Sequence, residues 1–359
     1  MNYFIKETIN GDPNAGSKAR NDVSDIMEKA GWTPLCLNFV FNEKLAEKKG
    51  GRLFRLKENL KLRLEWARKL KEIGSDDVLL IQFPVLRRPA LLFLSLKQFV
   101  KRGGKVILLI HDLEILRFAS RQDVSSLKRF RIGFEEKPVL KLADKIIVHN
   151  AEMRKKLVQM GFAESRMIDL QLFDYLIPGF DEAVVPRRFE PSVAIAGNLR
   201  PHKTKYLRAL PDNVVFELYG IGYEDQGKQN VHYHGAFPPD LLPMEMQAGF
   251  GLVWDGESAD SCTGTYGEYM RINNPHKTSL YLASGIPVII WKEAALAGFI
   301  EKNGLGIGVE SLPKIADYLA AMTEEEYSAM QARAAATGKL LRDGAYLSAA
   351  VKKALEGKE

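Results

Sequence analysis

Hydrophobic positions along this chain alternate between two patterns from one end to the other. Short runs of consecutive apolar residues are followed by longer segments in which apolar positions recur every three to four residues. The run at 106–110 contains no polar position, which is typical of a strand buried on both faces of a parallel sheet. The longer segments have the period of helices that cover such a sheet. The pattern therefore predicts an α/β fold with parallel sheets.

Twelve of the apolar runs are predicted strands, six on each side of a charged, proline-bounded stretch. They lie at 3–8, 35–40, 78–83, 105–110, 145–149, 167–172, 192–196, 214–219, 231–234, 251–254, 287–291 and 305–309. Predicted helices lie at 18–30, 57–72, 89–102, 124–143 and 151–160, and the alanine-rich tail is helical at 323–355. Ligands of doubly wound domains bind at the carboxyl edge of the sheet, so we expect a ligand cleft between the two halves.

This alternation gives a division of the chain into two Rossmann-like domains. We expect a first domain at 1–180, a linker at 181–191 and a second domain at 192–340. A last helix at 341–359 is expected to pack back on the first domain.

Composition is that of an ordinary globular protein, with 46% hydrophobic and 27% charged residues among 359. The first residues lack the apolar segment of a signal peptide. The longest apolar stretch, 78–96, is interrupted by prolines and arginines and is not expected to span a bilayer. Two cysteines do not indicate a disulfide framework. We therefore expect a cytoplasmic protein, with peripheral contact at the inner face of a membrane as an option.

The net charge of +6 is concentrated in one segment, because residues 43–72 hold eleven Lys and Arg against five Glu. This segment is either a solvated helix face or a patch attracted to an anionic membrane surface or a lipid-linked diphosphate. Nucleic acid is a third option, but no recognised DNA- or RNA-binding motif accompanies the charge.

Residues 263–291 have the sequence features of an anion-binding helix. Asn274 is a favoured N-cap, Pro275 suits the first helical position, and Gly285 is the usual residue after a helix end. The free amides of His276, Lys277 and Thr278 then face outward beside the Lys277 ammonium, which is where phosphate binds. The preceding small-residue loop at 263–267 contains Tyr266 and is expected to close over the ligand.

Other candidate residues follow predicted strands at the carboxyl edges. Gly197 and Asn198 allow close approach to a ligand, and Arg200 adds a forked cation. His111 and Asp112 directly follow a buried strand, where Asp112 either accepts a proton from an attacking hydroxyl or caps a helix.

Two loops complete this set of candidate positions. The loop at 10–17, with Gly16 and Ser17, either folds over a substrate or simply turns. The acidic pair Asp255 and Glu257 is of the kind that holds a metal in some sugar transferases, although no histidine joins it.

The stretch at 267–291 closely resembles bacterial β-1,6-galactofuranosyltransferases of surface-polysaccharide synthesis. It is also similar to the glucosyltransferases that extend GlcNAc on serine-rich adhesins, and shorter matches lie at 110–112, 196–198, 249–254 and 303–306. The resemblance implies a GT-B fold, with a UDP-sugar held mainly by the second domain and a glycan acceptor, lipid-linked or protein-linked, held by the first. It also implies a homo-oligomer, and neither nucleic acid nor a separate cofactor is expected.

The resemblance carries over to individual positions. Lys277 matches the family's diphosphate contact, and Arg200 matches a donor-site arginine at a spacing shifted by one. Phe237 stands where a relative has tyrosine, and the loop around Gly16 and Ser17 corresponds to a segment that covers the donor. The expected donor-site residues are Gly16, Ser17, Gly197, Asn198, Arg200, Phe237, Tyr266, Tyr269, Asn274, His276, Lys277 and Thr278.

The implied reaction is a metal-independent displacement with inversion, in which fixed cations and helix amides neutralise the departing diphosphate. The general base is expected from the first domain, with Asp112 as first choice, His111 as second and Asp12 as third. The paired-glutamate pattern of many retaining GT-B enzymes is missing, since His276 stands eight positions after Glu268. Two alternatives stay open: a sugar-nucleotide epimerase, and a non-catalytic nucleotide- or glycan-binding partner of a transferase.

Overall fold

A computed structural model describes residues 1–7, 15–37, 51–86, 91–118, 125–181 and 189–356 of the chain. In this part of the chain, the strands form two sheets of six, and every strand pair is parallel. The predicted α/β class is thus confirmed. None of the described helices combines the length and hydrophobicity needed to cross a bilayer.

The first sheet has the strand order β2-β1-β3-β4-β5-β6. Its strands are β1 (Asn2–Glu7), β2 (Thr33–Leu37), β3 (Val78–Phe83), β4 (Lys105–Ile110), β5 (Lys145–Val148) and β6 (Met167–Asp169). The helices of this half are α1 (Ala15–Lys29), α2 (Gly51–Lys71), α3 (Leu92–Lys101), α4 (Glu114–Arg117), α5 (Ser126–Leu142) and α6 (Ala151–Gln159).

The second sheet has the strand order β12-β11-β10-β7-β8-β9. Its strands are β7 (Ser192–Asn198), β8 (Val215–Ile221), β9 (Val231–Tyr233), β10 (Phe250–Val253), β11 (Val288–Trp291) and β12 (Gly306–Val309). The helices are α7 (Pro201–Thr204), α8 (Leu242–Glu245), α9 (Gly264–Tyr269), α10 (His276–Ala283), α11 (Ala297–Lys302), α12 (Ile315–Ala321), α13 (Glu324–Arg342) and α14 (Ala345–Glu356).

Each face of the first sheet has its own apolar layer. One layer includes Trp66 of α2 and Phe99 of α3, both completely buried, together with residues of α5 and α6. The opposite layer is shared by α1 and the last helix, α14, whose buried residues Leu347, Ala350, Val351 and Ala354 recur at helical spacing. The last helix of the chain therefore packs on the first domain, beside α1.

All twelve predicted strands are present, with ends shifted by up to three residues where both ends are described. Several local predictions were wrong. Helix α1 begins at Ala15, so Gly16 and Ser17 belong to its first turn rather than to a loop. The predicted loop at 263–267 is largely the short helix α9. The helical tail is two helices, because Gly344 has a φ of 75°, which ends α13 before α14 begins.

Some sequence predictions lie outside the described residues. These are the loop containing Asp12, most of the linker at 181–191, and the part of the basic segment before residue 51.

Candidate functional site

Helix α10 begins at the carboxyl edge of the second sheet and is sharply bounded at both ends. Its first residue is His276 and its N-cap is Pro275, in extended backbone, so the prediction that Asn274 caps the helix was wrong. At the other end Gly285 has a φ of 72°. Its amide donates to the Leu282 carbonyl, and the Ile286 amide donates to the Tyr281 carbonyl. This is the Schellman arrangement, which confirms the predicted helix end at Gly285.

The Lys277 side chain lies beside the end of β10 rather than in solvent. Its ammonium donates to the Trp254 carbonyl at 2.9 Å and to the Asp255 carboxylate at 2.8 Å. Burial lowers the pKa of Lys277, and the adjacent Asp255 charge opposes that shift. An ammonium carries three N–H donors, so one remains for an anion after these two bonds.

Lys203 is a second cation at the same carboxylate. Its ammonium lies 3.8 Å from Asp255 Oδ2, opposite the oxygen that Lys277 uses. The backbone fixes this pairing, because the Gly256 amide donates to the Lys203 carbonyl at 3.0 Å. Asp255 therefore holds two ammonium groups together. In the described part of the chain, no three His, Cys, Asp or Glu side chains converge as a metal site.

Buried polar atoms without a hydrogen-bond partner are concentrated between the domains. Among the described side chains nine such atoms occur, and five of them lie at 112–117 and 273–278. They are Asp112 Oδ1, Arg117 Nε, Asn273 Oδ1, His276 Nε2 and Thr278 Oγ1. Each orphaned buried group costs about 1–3 kcal/mol. A polar ligand that reached them would recover part of that cost, so they mark a place where a ligand is expected.

The turn after β7 approaches the neighbouring turn after β8 very closely. Gly197 has a φ of 119°, and a Cβ on Gly220 would lie 1.8 Å from the Gly197 carbonyl oxygen. The Asn198 side chain accepts a bond from the Arg200 amide at 3.1 Å, which shapes the turn. The exposed Arg200 packs on Gly222, where a Cβ would meet its side chain at 2.3 Å. Glycine at 220 and 222 therefore makes room for the turn that presents Arg200.

The predicted aromatic contacts divide into two groups. Tyr266 is half-buried, with the Lys203 ammonium 5.8 Å from the centre of its ring, and so lies at the cation cluster. Tyr269 instead packs in the core of the first domain, and its hydroxyl accepts a bond from the Leu113 amide at 3.1 Å. Burial raises the pKa of Tyr269 to about 12. Phe237 packs on the second-domain core, 6.2 Å from the Tyr219 ring.

His111 follows β4 and lies at the carboxyl edge of the first sheet. Its Nε2 is 2.8 Å from Gln82 Oε1, and its ring stacks on Phe173 at a centroid distance of 5.5 Å. The Gln82 amide nitrogen donates to the Arg20 carbonyl, so its oxygen faces the histidine and Nε2 carries the proton. Nδ1 is therefore the His111 nitrogen that can accept a proton. Burial, followed by the positive charge of Arg20, holds the pKa of His111 well below its usual range.

Asp112 forms an ion pair with Arg117, at the end of α4. The Arg117 guanidinium in turn lies over two rings of the second domain, 5.2 Å from the centre of Tyr269 and 5.9 Å from that of Tyr266. Asp112 and Arg117 thus link the edge of the first sheet to α9.

Asn274 joins the two domains. Its side-chain nitrogen donates to the carbonyls of His149 and Gln171, and its oxygen accepts a bond from Asn150 at 2.6 Å. Its backbone amide donates to His149 Nδ1 at 2.9 Å, so that nitrogen is unprotonated. Burial lowers the pKa of His149 to about 4, which agrees with a neutral ring.

His276 and Lys18 meet on the other side of this contact. The His276 ring lies 5.1 Å from Tyr175, and burial, with Lys18 nearby, lowers its pKa to about 4. Lys18, the residue after Ser17, pairs with Asp22 at 2.5 Å and with Asp240 of the second domain at 2.8 Å. The first turn of α1, which includes Gly16 and Ser17, therefore lies against the cleft.

Sequence reasoning missed several residues of this site. Lys203, Gln82 and Phe173 carry no motif of their own. They reach the site because segments that are distant in the sequence meet there. His149 had a local signal, since it ends a predicted strand at the carboxyl edge of the first sheet.

Two family models match this chain. The glucosyltransferase 3-like N-terminal domain matches residues 2–172, and the glucosyltransferase 3-like C-terminal domain matches residues 193–354. A β-1,6-galactofuranosyltransferase, WbbI of Escherichia coli, is 32% identical over 96% of this chain and 95% of its own length. Glucosyltransferase 3 of Streptococcus gordonii is 28% identical over 91% of this chain and 90% of its own.

The fold is also similar to that of solved structures. The lipopolysaccharide outer core galactosyltransferase WaaB, in its apo form, superposes with a TM-score of 0.57 over 100% of this chain and 99% of its own. The identity is only 13%, so this likeness concerns the fold alone. The expected GT-B fold is thereby confirmed.

Proposed function

Because the chain belongs to the glucosyltransferase 3-like family and is therefore a glycosyltransferase, we propose that it transfers a hexose from a UDP-sugar to a glycan acceptor. The hexose is galactofuranose or glucose, the two sugars named in the relatives. The transfer inverts the anomeric centre and needs no metal ion. The product belongs to a surface polysaccharide or a glycoprotein.

The cation cluster at the start of α10 is the observation that carries this proposal. Lys277 and Lys203 share one carboxylate beside the amides of the first helical turn. Two departing phosphates need such fixed positive charge in the transition state, which a metal ion supplies in other transferases. Arg200 on the neighbouring turn adds a third cation on the donor side. The orphaned Thr278 hydroxyl and His276 Nε2 are further polar contacts for the donor.

His111 is the general base in this proposal. The acceptor hydroxyl oxygen attacks the anomeric carbon, the bond from that carbon to the diphosphate oxygen breaks, and UDP leaves. His111 Nδ1 takes the hydroxyl proton. The hydrogen bond from Nε2 to Gln82 supports this role, because it leaves Nδ1 as the ring nitrogen that can accept a proton. Asp112 is the second candidate for the base. Its ion pair with Arg117 favours a role in holding the domains together.

Replacing Lys277 tests the donor site. We expect Lys277→Met combined with Asp255→Asn, which removes the Lys277 ammonium together with its carboxylate and also takes that carboxylate from Lys203, to lower kcat/KM by about 10²–10³. The matched control is Lys352→Met with Glu356→Gln, an exposed pair at 3.7 Å near the end of α14 on the first domain. Full activity of the Lys277 variant would contradict the donor-site role of this lysine.

A panel of UDP-sugars tests donor identity through protection against thermal unfolding. A donor at a hundredfold excess over its Kd stabilises the folded state by about 2.7 kcal/mol. UDP-galactofuranose and UDP-glucose are expected to raise the Tm more than UDP-N-acetylglucosamine. Appearance of an isomeric UDP-sugar without acceptor would instead support epimerase chemistry.

Two single variants separate the candidates for the base. We expect His111→Gln to lower kcat by about 10²–10⁴ with little change in donor protection, because a general base acts mainly in the transition state. We expect Asp112→Asn to lower kcat less than His111→Gln does and to lower the Tm more. The reverse order would assign the base to Asp112.

A further inference from the structure

We propose that one helical face of the first domain docks on an anionic lipid bilayer. This membrane face is formed by α2, α3 and α5, which cover the same side of the first sheet, with α3 in contact with the other two helices. The docking does not depend on the proposed sugar transfer, because it follows from exposed apolar area and charge alone.

Large apolar side chains are exposed on this face. Leu127 and Phe130 of α5 are 79% and 71% exposed, and Phe134 is 48% exposed. Their spacing of three and then four residues places them in one stripe along the helix. On α2, Leu60 and Leu64 are 55% and 61% exposed at the same kind of spacing. Exposed apolar clusters of this kind mark an interaction surface.

The aromatic part of the stripe is organised rather than scattered. The rings of Phe130 and Phe134 lie 6.2 Å apart and nearly parallel, with an interplanar angle of 19°. Phe93 of α3 meets Phe134 edge-on at 6.0 Å. This aromatic cluster joins α3 to α5 and presents Phe130 outward. At a membrane interface, aromatic and leucine side chains insert at the boundary between headgroups and acyl chains.

Charge on the same helices selects an anionic bilayer over a protein partner. The exposed basic residues are Lys57, Lys61, Arg68, Lys71, Lys97, Lys101, Arg102, Arg131, Lys137 and Lys141. Among the side chains described on these helices, Glu58, Glu65 and Glu135 are half-buried and Glu136 is buried. The exposed acids Glu72, Asp76 and Asp144 lie just past the ends of α2 and α5 and are outnumbered by the exposed basic residues. Apolar side chains surrounded by basic residues match a layer of acyl chains beneath anionic headgroups. Each basic residue near such a surface contributes about 1 kcal/mol to binding.

The stripe also has a defined position relative to the cleft. Leu127 and Phe130 lie near the start of α5, which follows β4 and α4 and therefore begins at the carboxyl edge of the first sheet. Docking through these residues would place the acceptor side of the cleft near the bilayer. An acceptor carried on a lipid could then reach the site without leaving the membrane.

Vesicle co-sedimentation tests the proposal with the full chain. The protein is mixed with phosphatidylcholine vesicles with or without phosphatidylglycerol, at low and high salt. We expect binding to the anionic vesicles only, weakened by salt. Leu127→Gln with Phe130→Gln should reduce partitioning by about tenfold to a hundredfold, because two large side chains no longer enter the apolar layer.

Matched variants control for folding and for nonspecific effects. Leu241→Gln with Leu340→Gln changes two second-domain residues that are 50% and 49% exposed, and it should bind like the wild type. Lys137→Gln with Lys141→Gln should weaken binding several-fold and reduce its salt dependence. The second-domain pair Lys302→Gln with Lys339→Gln should have a smaller effect on both. The Tm of every variant shows whether it is folded.

Three outcomes would overturn the proposal. The first is a wild-type protein that ignores anionic vesicles, and the second is a Leu127 and Phe130 variant that binds them as well as the wild type. In the third, the wild type is an oligomer in sedimentation velocity without lipid, and the Leu127 and Phe130 substitutions dissociate this oligomer while vesicle binding is unchanged. That result would assign the face to a second copy of the chain.

Discussion

The protonation state of His111 is determined by its immediate neighbours. Gln82 fixes which nitrogen carries the proton, while burial and the charge of Arg20 keep the ring neutral. Gln82 does not touch the reacting atoms in the proposed mechanism, so it is a positioning residue. A glutamine at the end of a buried strand has no recognisable motif, and only the tertiary contact shows its role.

Substitution of Gln82 should alter the pH dependence of the reaction as well as its rate. We expect Gln82→Leu to lower kcat by about tenfold or more with little effect on KM, because Nε2 loses its acceptor. Gln82→Glu should restore much of kcat. The added carboxylate stabilises the imidazolium and raises the pKa of His111, so activity would be lost at a higher pH on acidification. A pH profile identical to that of the wild type would contradict this role.

At the scale of elements, the last helix is attached to the first domain by a carboxylate as well as by its apolar face. Asp174 follows β6, and its oxygens accept bonds from the Tyr346 and Leu347 amides, at 3.1 and 2.7 Å, at the start of α14. An acid at a helix N-terminus is favourable for the helix. Burial nevertheless raises the pKa of Asp174 to about 7.

This raised pKa predicts a stability difference that depends on pH. Between about pH 4 and 7 the folded state holds a proton on Asp174 that the unfolded state has lost, so this contribution declines as pH rises through 7. The free energy of unfolding of Asp174→Asn, relative to wild type, should therefore increase by about 2–3 kcal/mol from pH 5 to pH 8. Unfolding of both proteins across this range measures it, and a constant difference would contradict it.

Comparison with the wild type isolates Asp174 from other groups that titrate in this range. The pKa values of His149 and His276, both lowered to about 4 by burial, have the opposite effect on stability, because unfolding lets these histidines bind protons. Since both proteins contain these histidines, their contributions cancel in the difference.

At the scale of the whole molecule, Asn274 connects the domains at the centre of the cleft. One side chain bonds to the ends of β5 and β6, while the next residues begin the helix that is proposed to hold the donor. The position of the first domain is thereby coupled to the start of α10. Tyr269 and Arg117 make a second connection nearby.

Removal of the Asn274 side chain should loosen this connection. We expect Asn274→Ala to destabilise the protein by about 2–4 kcal/mol, because two carbonyls and one amide lose their partner. Donor KM should rise and the radius of gyration measured by small-angle scattering should increase. The matched variant Asn150→Ala removes one of these contacts together with a helix cap, and should have the smaller effect on KM. Unchanged scattering and KM would show that Asn274 does not hold the cleft together.

The sequence by itself determined the elements of this protein and their order. Strand and helix periods are local properties of a chain, and a run such as 106–110 is typical of a strand buried on both faces of a parallel sheet. The helix end at Gly285 and the candidates at the carboxyl edges followed from the same local rules.

Only the tertiary structure decided which side chains meet across the cleft. Local spacing placed Lys277 on the first turn of a helix, but its partners Trp254 and Asp255 lie directly after β10. Local spacing also predicted that Asn274 caps this helix, but the Asn274 side chain bonds to the first domain instead. Hydrogen bonds and ion pairs act over a few ångströms in space. Their partners therefore depend on how the two sheets are brought together, which no short stretch of sequence encodes.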